Sequence, residues 1–272
     1  MDKHRRISFF SSSKGKCSVS ANMCLLATYL STIKEKKVLV ISLNSDDSCF
    51  DELYFGTGEA GKNCALLNNI GLIGLKRICE IRSIDSELVE KYAVKINKLL
   101  YILPGYEKDM QNQFIDSVLK AADEVYEYIL IDFSGYENND KFESLFSFVC
   151  ISQEENVIKN GLDIFNTGDR RKKAFIVGRY DSKSVYNVSN IRKIMKSLIK
   201  ENKEKSKGEE LKSEICAEHI FPISYETSIF DYISSCNTEG LSKHFLLINS
   251  EKKKKSKVLS ELEALTDYME EE

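Results

Sequence analysis

The feature that most constrains the fold of this sequence is the alternation of short apolar segments with longer segments of helical periodicity. The segments K-K-V-L-V-I-S-L and Y-E-Y-I-L-I-D-F have apolar residues at successive positions, which predicts strands buried on both faces of a parallel sheet. The predicted strands are Ile7–Ser11, Val38–Leu43, Leu100–Leu103, Tyr128–Phe133, Phe148–Ser152, Ala174–Gly178 and Ile215–Phe221. The predicted helices are Val19–Thr32, Leu72–Ile81, Asp85–Ile96, Asn112–Val125, Val157–Asn166, Val188–Ile199 and Val258–Met269. This order predicts an α/β fold, a three-layer αβα sandwich around a mainly parallel, doubly wound sheet.

Length and composition narrow the class of protein further. The 272 residues contain no repeat and no evident linker, so we expect a single domain over residues 1–272. The net charge is only −3, so no specific nucleic-acid partner is predicted. The eight cysteines form no C-x-x-C pair and are expected to be reduced, in a cytoplasmic protein. No apolar run approaches the length of a membrane span, so no transmembrane segment is predicted.

A turn between the first predicted strand and helix reads F-F-S-S-S-K-G-K-C-S. Phosphate loops stand at such turns, where backbone N–H groups at a helix N-terminus and a lysine hold the phosphates. Gly15 and Lys16 fit the pattern G-x-x-x-x-G-K-[ST], but Phe10 stands at its first glycine and Cys17 at the hydroxyl that holds Mg²⁺. The motif alone therefore leaves two readings, a phosphate loop in which Ser18 substitutes in a shifted register, or a helix start capped by Ser13.

Several further segments resemble the MinD/ParA group of P-loop ATPases. The turn and the helix after it resemble the family's K-G-G-x-G-K-T-T loop and N-L-A-x-x-L-A helix, and Val38–Leu43 resembles its V-L-L-I-D-x-D strand. The segment Y-E-Y-I-L-I-D-F-S-G resembles the Walker B strand, F-I-V-G-R-Y-D the strand end near the adenine, and H-I-F-P-I-S-Y-E the I-P-Y-D loop. The resemblance runs in the family's order from about residue 7 to residue 270. It implies a P-loop NTPase-like fold in one MinD/ParA-like domain.

The resemblance also implies a site for ATP or ADP with Mg²⁺. It assigns nucleotide binding to Ser12, Ser13, Lys14, Gly15, Lys16, Cys17, Ser18, Arg179 and Pro222. It assigns Mg²⁺ to Ser18 and to Asp132, which stands at the Walker B position with Gly135 three residues later. An alternative for Asp132 is a structural role, as a helix cap or as the partner of a lysine.

The departures from the family pattern affect residues that in the family contact the nucleotide, the metal and the attacking water. The lysine that in the family reaches the partner's nucleotide across a dimer is Ser11 here, and the adenine-facing asparagine is Gly178. Two aspartates after the second strand are replaced by Ser42 and Asn44, which cannot supply the negative charge that positions metal and water. Asp46 and Asp47 either replace these carboxylates in part or cap a following helix. The resemblance thus implies a pseudo-ATPase that can bind ATP and hydrolyses it weakly or not at all.

This pattern of losses resembles the TadZ/CpaE branch of the family, which positions pilus and secretion machinery in bacteria. It implies a role in the localisation or assembly of a membrane-associated machine. It also implies a homodimer with protein partners that recruit it to the inner face of the membrane. Two alternatives remain open: an active ATPase that uses Lys16, Ser18 and Asp132 to partition DNA or a protein cargo, and a nucleotide-free scaffold.

Two sets of basic residues are candidate binding surfaces. Lys34, Lys36 and Lys37 with Arg170–Lys173 could form a basic face for nonspecific DNA binding if the fold brings them together. The run Lys252–Lys257 precedes a helix whose polar face is acidic, so a solvated loop and a terminal helix packed on the sheet are favoured over a membrane anchor.

Overall fold

The computed structural model describes residues 5–44, 54, 69–134, 146–166, 172–205, 219–250 and 256–271. Within these residues, eight strands form one sheet: β1 (Arg5–Ser11), β2 (Val38–Ser42), β3 (Val94–Lys95), β4 (Leu100–Leu103), β5 (Tyr128–Asp132), β6 (Phe146–Ile151), β7 (Lys172–Tyr180) and β8 (Ile220–Ser224). Their order is β3-β4-β2-β5-β1-β6-β7-β8. Every neighbouring pair is parallel except β3 and β4. The predicted mainly parallel, doubly wound sheet is confirmed.

Helices cover both faces of this sheet and complete the three-layer αβα sandwich. They are α1 (Val19–Thr32), α2 (Gly71–Cys79), α3 (Ser86–Tyr92), α4 (Asn112–Asp123), α5 (Glu155–Asn166), α6 (Val188–Lys205), α7 (Thr227–Ser234), α8 (Thr238–Ser250) and α9 (Lys257–Glu270). Helices α8 and α9 both contact α1, whereas α2, α3 and α4 supply the core of the opposite face. In the part of the chain described, no helix combines the length and apolarity needed to cross a membrane.

Strand β2 shows why uninterrupted apolar runs predict buried strands. Val38 and Val40 join the core cluster on the side of α1, whereas Leu39 and Ile41 join the cluster on the side of α2 to α4. All four side chains are buried because each face of the sheet is covered by helices. Burial of such a side chain contributes about 1.5–3 kcal/mol. Side chains on both faces of β2 therefore stabilise the strand.

The predicted helix Asp85–Ile96 was too long at its C-terminal end. Helix α3 ends at Tyr92, Ala93 is extended with φ −72° and ψ 139°, and Val94 pairs with Ile102 in the antiparallel strand β3. The β-branched Val94 favours a strand once an edge is available beside it. The sequence could not reveal that edge, because the pairing partner belongs to a later segment of the chain.

Helix α8 was not predicted at all. Leu241 and Phe245, four residues apart, are buried against the core, but Leu246 and Leu247 next to them are more than half exposed. Exposed leucines directly after the buried Phe245 obscure the apolar periodicity that would identify a helix.

The last predicted strand, Ile215–Phe221, ended too early. Strand β8 extends through Pro222 to Ser224, whereas residues 215–218 lie outside the described residues. Among the described strands, β8 is at the edge of the sheet and pairs with β7 alone, and an edge strand is where a proline is tolerated.

The C-terminal helix α9 is packed on the sheet, as the sequence favoured. Its apolar face is buried, including Val258, Leu262, Leu265 and Met269, and the helix contacts β8 and α1. Of the run 252–257 that precedes and enters it, residues 252–255 lie outside the described residues.

Three of the basic residues considered for DNA binding are paired with acids, whereas Lys173 donates to the Phe165 carbonyl oxygen at 3.0 Å. Lys34 pairs with Asp267, Lys36 with Glu127 and Lys37 with Glu90. These carboxylates offset the positive charge of the three lysines. Arg170, Arg171, Asp46, Asp47 and Gly135 lie outside the described residues, so their predicted roles remain predictions.

Candidate functional site

A cavity of about 730 Å³ opens at the edge of the sheet where the parallel strands end. Ligands of doubly wound α/β proteins bind outside the carboxyl ends of such strands. The residues that line the cavity come from the turn after β1, the first turn of α1, and the ends of β5, β6 and β7, together with Asn44 and α7. They are Ser11, Lys14, Gly15, Lys16, Cys17, Ser18, Val19, Ser20, Ala21, Asn44, Asp132, Ser134, Ser152, Gln153, Glu154, Gly178, Arg179, Ile233 and Ser234.

The turn between β1 and α1 is closed by two residues with left-handed backbone conformation. Gly15 has φ +71°, which suits a residue without Cβ, and Ser18 has φ 53° and ψ 35°. Ser18 occupies the N-cap position of α1, and the helix begins at Val19 as predicted. The suggestion that Ser13 caps this helix was wrong, because the Ser13 carbonyl oxygen instead accepts hydrogen bonds from Lys16 N and Cys17 Sγ inside the turn.

The N-terminus of α1 lies at the cavity. The side chain of Ser18 makes no capping hydrogen bond, and the first helical hydrogen bond runs from Asn22 N to Ser18 O at 2.9 Å. The N–H groups of Val19, Ser20 and Ala21 precede that bond, and all three residues line the cavity. With the positive end of the helix dipole, this arrangement suits a phosphate group.

The thiol of Cys17 is turned away from the cavity into the interior. Its side chain is 1% exposed, with Sγ 3.2 Å from Ser12 Oγ and 3.3 Å from Ser13 O. Ser12 is also buried and donates its hydroxyl hydrogen to Cys150 O at 3.0 Å. Ser12 and Ser13 therefore support the loop from behind and do not line the cavity, whereas Ser18 places a hydroxyl-bearing side chain in its lining.

Asp132 lies at the base of the cavity, in the position that the resemblance assigned to it. It ends β5 and pairs with Phe9 of β1 and Ser42 of β2, and it is only 1% exposed. Its Oδ1 accepts a hydrogen bond from Ser134 N at 2.8 Å, so it also stabilises the local turn. Carboxylate and hydroxyl oxygens suit Mg²⁺, so Asp132 and Ser18 together fit a metal-bound phosphate.

The two positions that lack aspartates supply no compensating charge. Ser42 Oγ accepts a hydrogen bond from Asn44 N at 3.3 Å, which keeps the hydroxyl engaged with the backbone. Asn44 lines the cavity but carries a neutral amide. Among the residues that the structure describes, the side of the cavity near β2 therefore carries no carboxylate to hold a metal and orient water.

Lys16 forms an ion pair that sequence reasoning missed. Its Nζ lies 2.8 Å from Glu154 Oε2, and the two side chains are 54% and 52% exposed. The hydrogen bond and charge of Glu154 raise the pKa of the Lys16 ammonium group. Glu154 comes just after a predicted strand, and Lys16 follows the first strand. Because parallel strands end at the same edge of the sheet, this position could have indicated that the two residues lie close together.

The remaining predicted site residues lie at the ends of β7 and β8. Arg179 is exposed, has φ 50°, and places its guanidinium carbon 5.6 Å from the centre of the Phe230 ring. It lines both the main cavity and an adjoining one of about 430 Å³, which Tyr225 and Lys257 also line. Pro222 lies within β8 and lines neither cavity.

The fold is that of the ParA and MinD ATPases. A ParA family ATPase from Chlorobium tepidum TLS has a TM-score of 0.64 at 14% identity, covering 95% of this chain and 97% of that one. A chain of the MinC:MinD cell division complex of Aquifex aeolicus has a TM-score of 0.66 at 16% identity, covering 98% and 96%. A plasmid partition protein of Borrelia burgdorferi B31 bound to AMPPNP has a TM-score of 0.60 at 17% identity, covering 98% of both chains. Neither the protein-family models nor the curated proteins gave a match.

Proposed function

Since the chain has the P-loop fold of the ParA and MinD ATPases, we propose that it binds ATP or ADP with Mg²⁺ in the cavity above β1. The observation that carries this proposal is the convergence of three features on one cavity: Lys16, the uncapped N-terminus of α1, and the buried Asp132. Each of them alone is common in proteins, but together they match what a Mg²⁺-bound polyphosphate requires.

In the proposed complex the phosphates would occupy the main cavity and the base the adjoining one. The N–H groups at the start of α1 and the Lys16 ammonium group would hold the phosphates, and Asp132 and Ser18 would hold the metal. Bound Mg²⁺ supplies positive charge that neutralises the phosphate oxygens. The base would be held at the adjoining cavity, where Arg179 and Tyr225 provide a cation and an exposed ring.

We propose that hydrolysis is weak or absent, so that the protein is a pseudo-ATPase. The neutral Ser42 and Asn44 stand where carboxylates would position metal and water, and the Cys17 thiol is buried behind the loop. A nucleotide that stays bound without turnover serves as a structural switch rather than as a substrate.

The biological role proposed on this basis is the localisation or assembly of a membrane-associated machine, in the manner of the TadZ/CpaE branch that positions pilus and secretion machinery. The protein then acts as a cytoplasmic homodimer recruited to the inner face of the membrane by protein partners. The structural likeness to the MinD chain of a MinC:MinD complex supports a role that depends on a protein partner.

Calorimetric titration with ATP and Mg²⁺, with phosphate release measured in parallel, tests this proposal. We expect Mg²⁺-dependent binding that K16A weakens by about tenfold or more, with negligible phosphate release. K120A, which removes an exposed lysine of α4 paired with Asp116, serves as the control. Rapid phosphate release that K16A abolishes would instead identify an active ATPase that partitions DNA or a protein cargo. Absence of binding would identify a nucleotide-free scaffold.

The localisation role is tested separately in cells. A fluorescent fusion of the wild-type protein is expected to form foci that coincide with the pilus or secretion machinery. K16A is expected to disperse these foci if the nucleotide controls assembly. A uniform distribution of the wild-type fusion would contradict the proposed role, whatever the result of the nucleotide titration.

A further inference from the structure

An acidic side chain lies where a phosphate group bound to Lys16 would have to approach. Glu154 Oε2 is 2.8 Å from Lys16 Nζ, and both residues line the cavity. We propose that the Glu154 carboxylate acts as an internal counter-anion for Lys16, which competes with phosphate ligands and lowers their affinity for this site. This inference rests on the proposed nucleotide site and adds that the site carries its own competitor.

The backbone around Glu154 is held in place, so this ion pair differs from a chance contact on the surface. The Gln153 amide donates to Asp181 O at 2.8 Å and to Tyr186 O at 2.9 Å, and its Oε1 accepts from Asp181 N at 2.7 Å. On the other side, the Glu154 carbonyl oxygen accepts from Ile158 N at 3.0 Å as α5 begins. The segment that carries Glu154 is thus fixed between α5 and the loop after β7.

Lys16 is constrained in a similar way. Its backbone N–H donates to Ser13 O at 3.2 Å, so the lysine leaves the turn from a fixed position. When both ends of an ion pair start from fixed backbone, pairing costs side-chain entropy but little backbone entropy, which favours the pair. A ligand must therefore displace Glu154 from Lys16 and tolerate a carboxylate close to its own negative charge.

The expected change in phosphate affinity is modest, because the side chains of Lys16 and Glu154 are both about half exposed. Ion pairs that are half exposed are weakened by solvent, and the repulsion between a carboxylate and a phosphate is screened in the same way. We therefore expect that removing the Glu154 charge tightens phosphate binding by about three- to tenfold. The gain should shrink as salt rises, because salt screens both the attraction and the repulsion.

The test compares E154Q with E155Q by calorimetric titration of tripolyphosphate, and of ATP with Mg²⁺, at about 0.05 M and about 0.5 M salt. Glu155 is the next residue and carries the same charge, but it pairs with Lys159 in α5. We expect E154Q to bind both ligands about three- to tenfold more tightly at low salt, and E155Q to bind like the wild type. The gain should be smaller when E154Q is introduced into K16A, because competition for the ammonium group is then gone and only the repulsion between carboxylate and phosphate remains.

The outcomes separate this inference from the proposed function. Equal affinity of the wild type, E154Q and E155Q would overturn the competition while leaving the nucleotide site intact. An equal gain in E154Q and E155Q would also overturn it, because the effect would then reflect net charge. If none of the three proteins binds either ligand, both the competition and the nucleotide site are overturned.

Discussion

Gly178 at the end of β7 packs directly against the side-chain amide of Asn22 in α1. A Cβ atom at position 178 would lie 2.8 Å from Asn22 Nδ2 and 3.1 Å from the Cys17 carbonyl oxygen. Asn22 is buried and donates from Nδ2 to the same Cys17 carbonyl at 3.3 Å. The glycine at position 178 thus allows α1 and the turn before it to approach β7 closely.

We predict that G178A destabilises the protein by about 1–3 kcal/mol, because the added methyl group has no space between Asn22 and Cys17. Urea unfolding followed by circular dichroism measures the change in free energy. In the double variant N22A/G178A, part of the loss should be recovered, since removing the Asn22 amide makes room for the methyl group. A G178A protein as stable as the wild type would show that α1 can move away from β7 at little cost.

Replacing Cys17 by the threonine of ordinary phosphate loops should not restore ATP hydrolysis. The side chain at this position faces Ser12 and Ser13 rather than the cavity, so C17T adds a hydroxyl where no metal can reach it. Phosphate release from ATP and Mg²⁺ by C17T should therefore remain at the wild-type level. A marked increase in release would mean that the loop reorganises when nucleotide binds.

S18A is expected to affect metal-dependent binding instead. Ser18 lines the cavity and makes no capping hydrogen bond, so its hydroxyl is available to a metal. We expect the affinity for ATP in the presence of Mg²⁺ to fall by about tenfold or more, with little change in the presence of EDTA. An equal loss under both conditions would assign Ser18 to the phosphates or to the fold rather than to the metal.

The buried carboxyl of Glu261 predicts a pH-dependent contribution to stability. Burial raises its pKa above the ordinary 4.5, although Ser224 donates to it from both N and Oγ at 2.7 Å. The folded protein therefore binds the proton more tightly than the unfolded chain. This contribution is fully favourable below 4.5 and is lost as the pH rises through the raised pKa.

E261Q does not titrate, so the free energy of unfolding of the wild type should fall relative to E261Q as the pH rises from about 4 to about 7. Urea unfolding across this range measures the difference. E263Q, two residues further along α9, controls for the change in net charge. The pKa assignment would be refuted by a difference that stays constant with pH or that grows in favour of the wild type.

Glu226 links the loop after β8 to the start of α9. Its Oε1 accepts hydrogen bonds from Val258 N at 3.1 Å and from Ser256 Oγ at 3.0 Å, which caps the helix N-terminus. E226A should lower the free energy of unfolding by about 1 kcal/mol, the usual effect of losing a cap. E239A, in the exposed first turn of α8, should cost less, since Glu239 pairs only with Lys243 where the structure describes it. Equal losses in the two variants would contradict the capping role.

Much of the fold could be predicted because its signals are local. The apolar run of β2 and the periodic residues of α1 identify their elements from neighbouring positions alone. Strand β8 shows the limit of this reasoning, because Pro222 argues against a strand unless the strand is known to lie at an edge. Its place at the edge depends on the order of all the other strands.

The sequence by itself determined the succession of strands and helices and placed a glycine-lysine turn between the first strand and the first helix. It also showed which charges are missing at positions 42 and 44. Only the tertiary structure decided that the Cys17 thiol is buried, that Gly178 packs on Asn22, and that Glu154 meets Lys16 across 138 residues of sequence. The physical reason is that these contacts depend on which strands lie side by side and on the space between layers, neither of which a local pattern of residues contains.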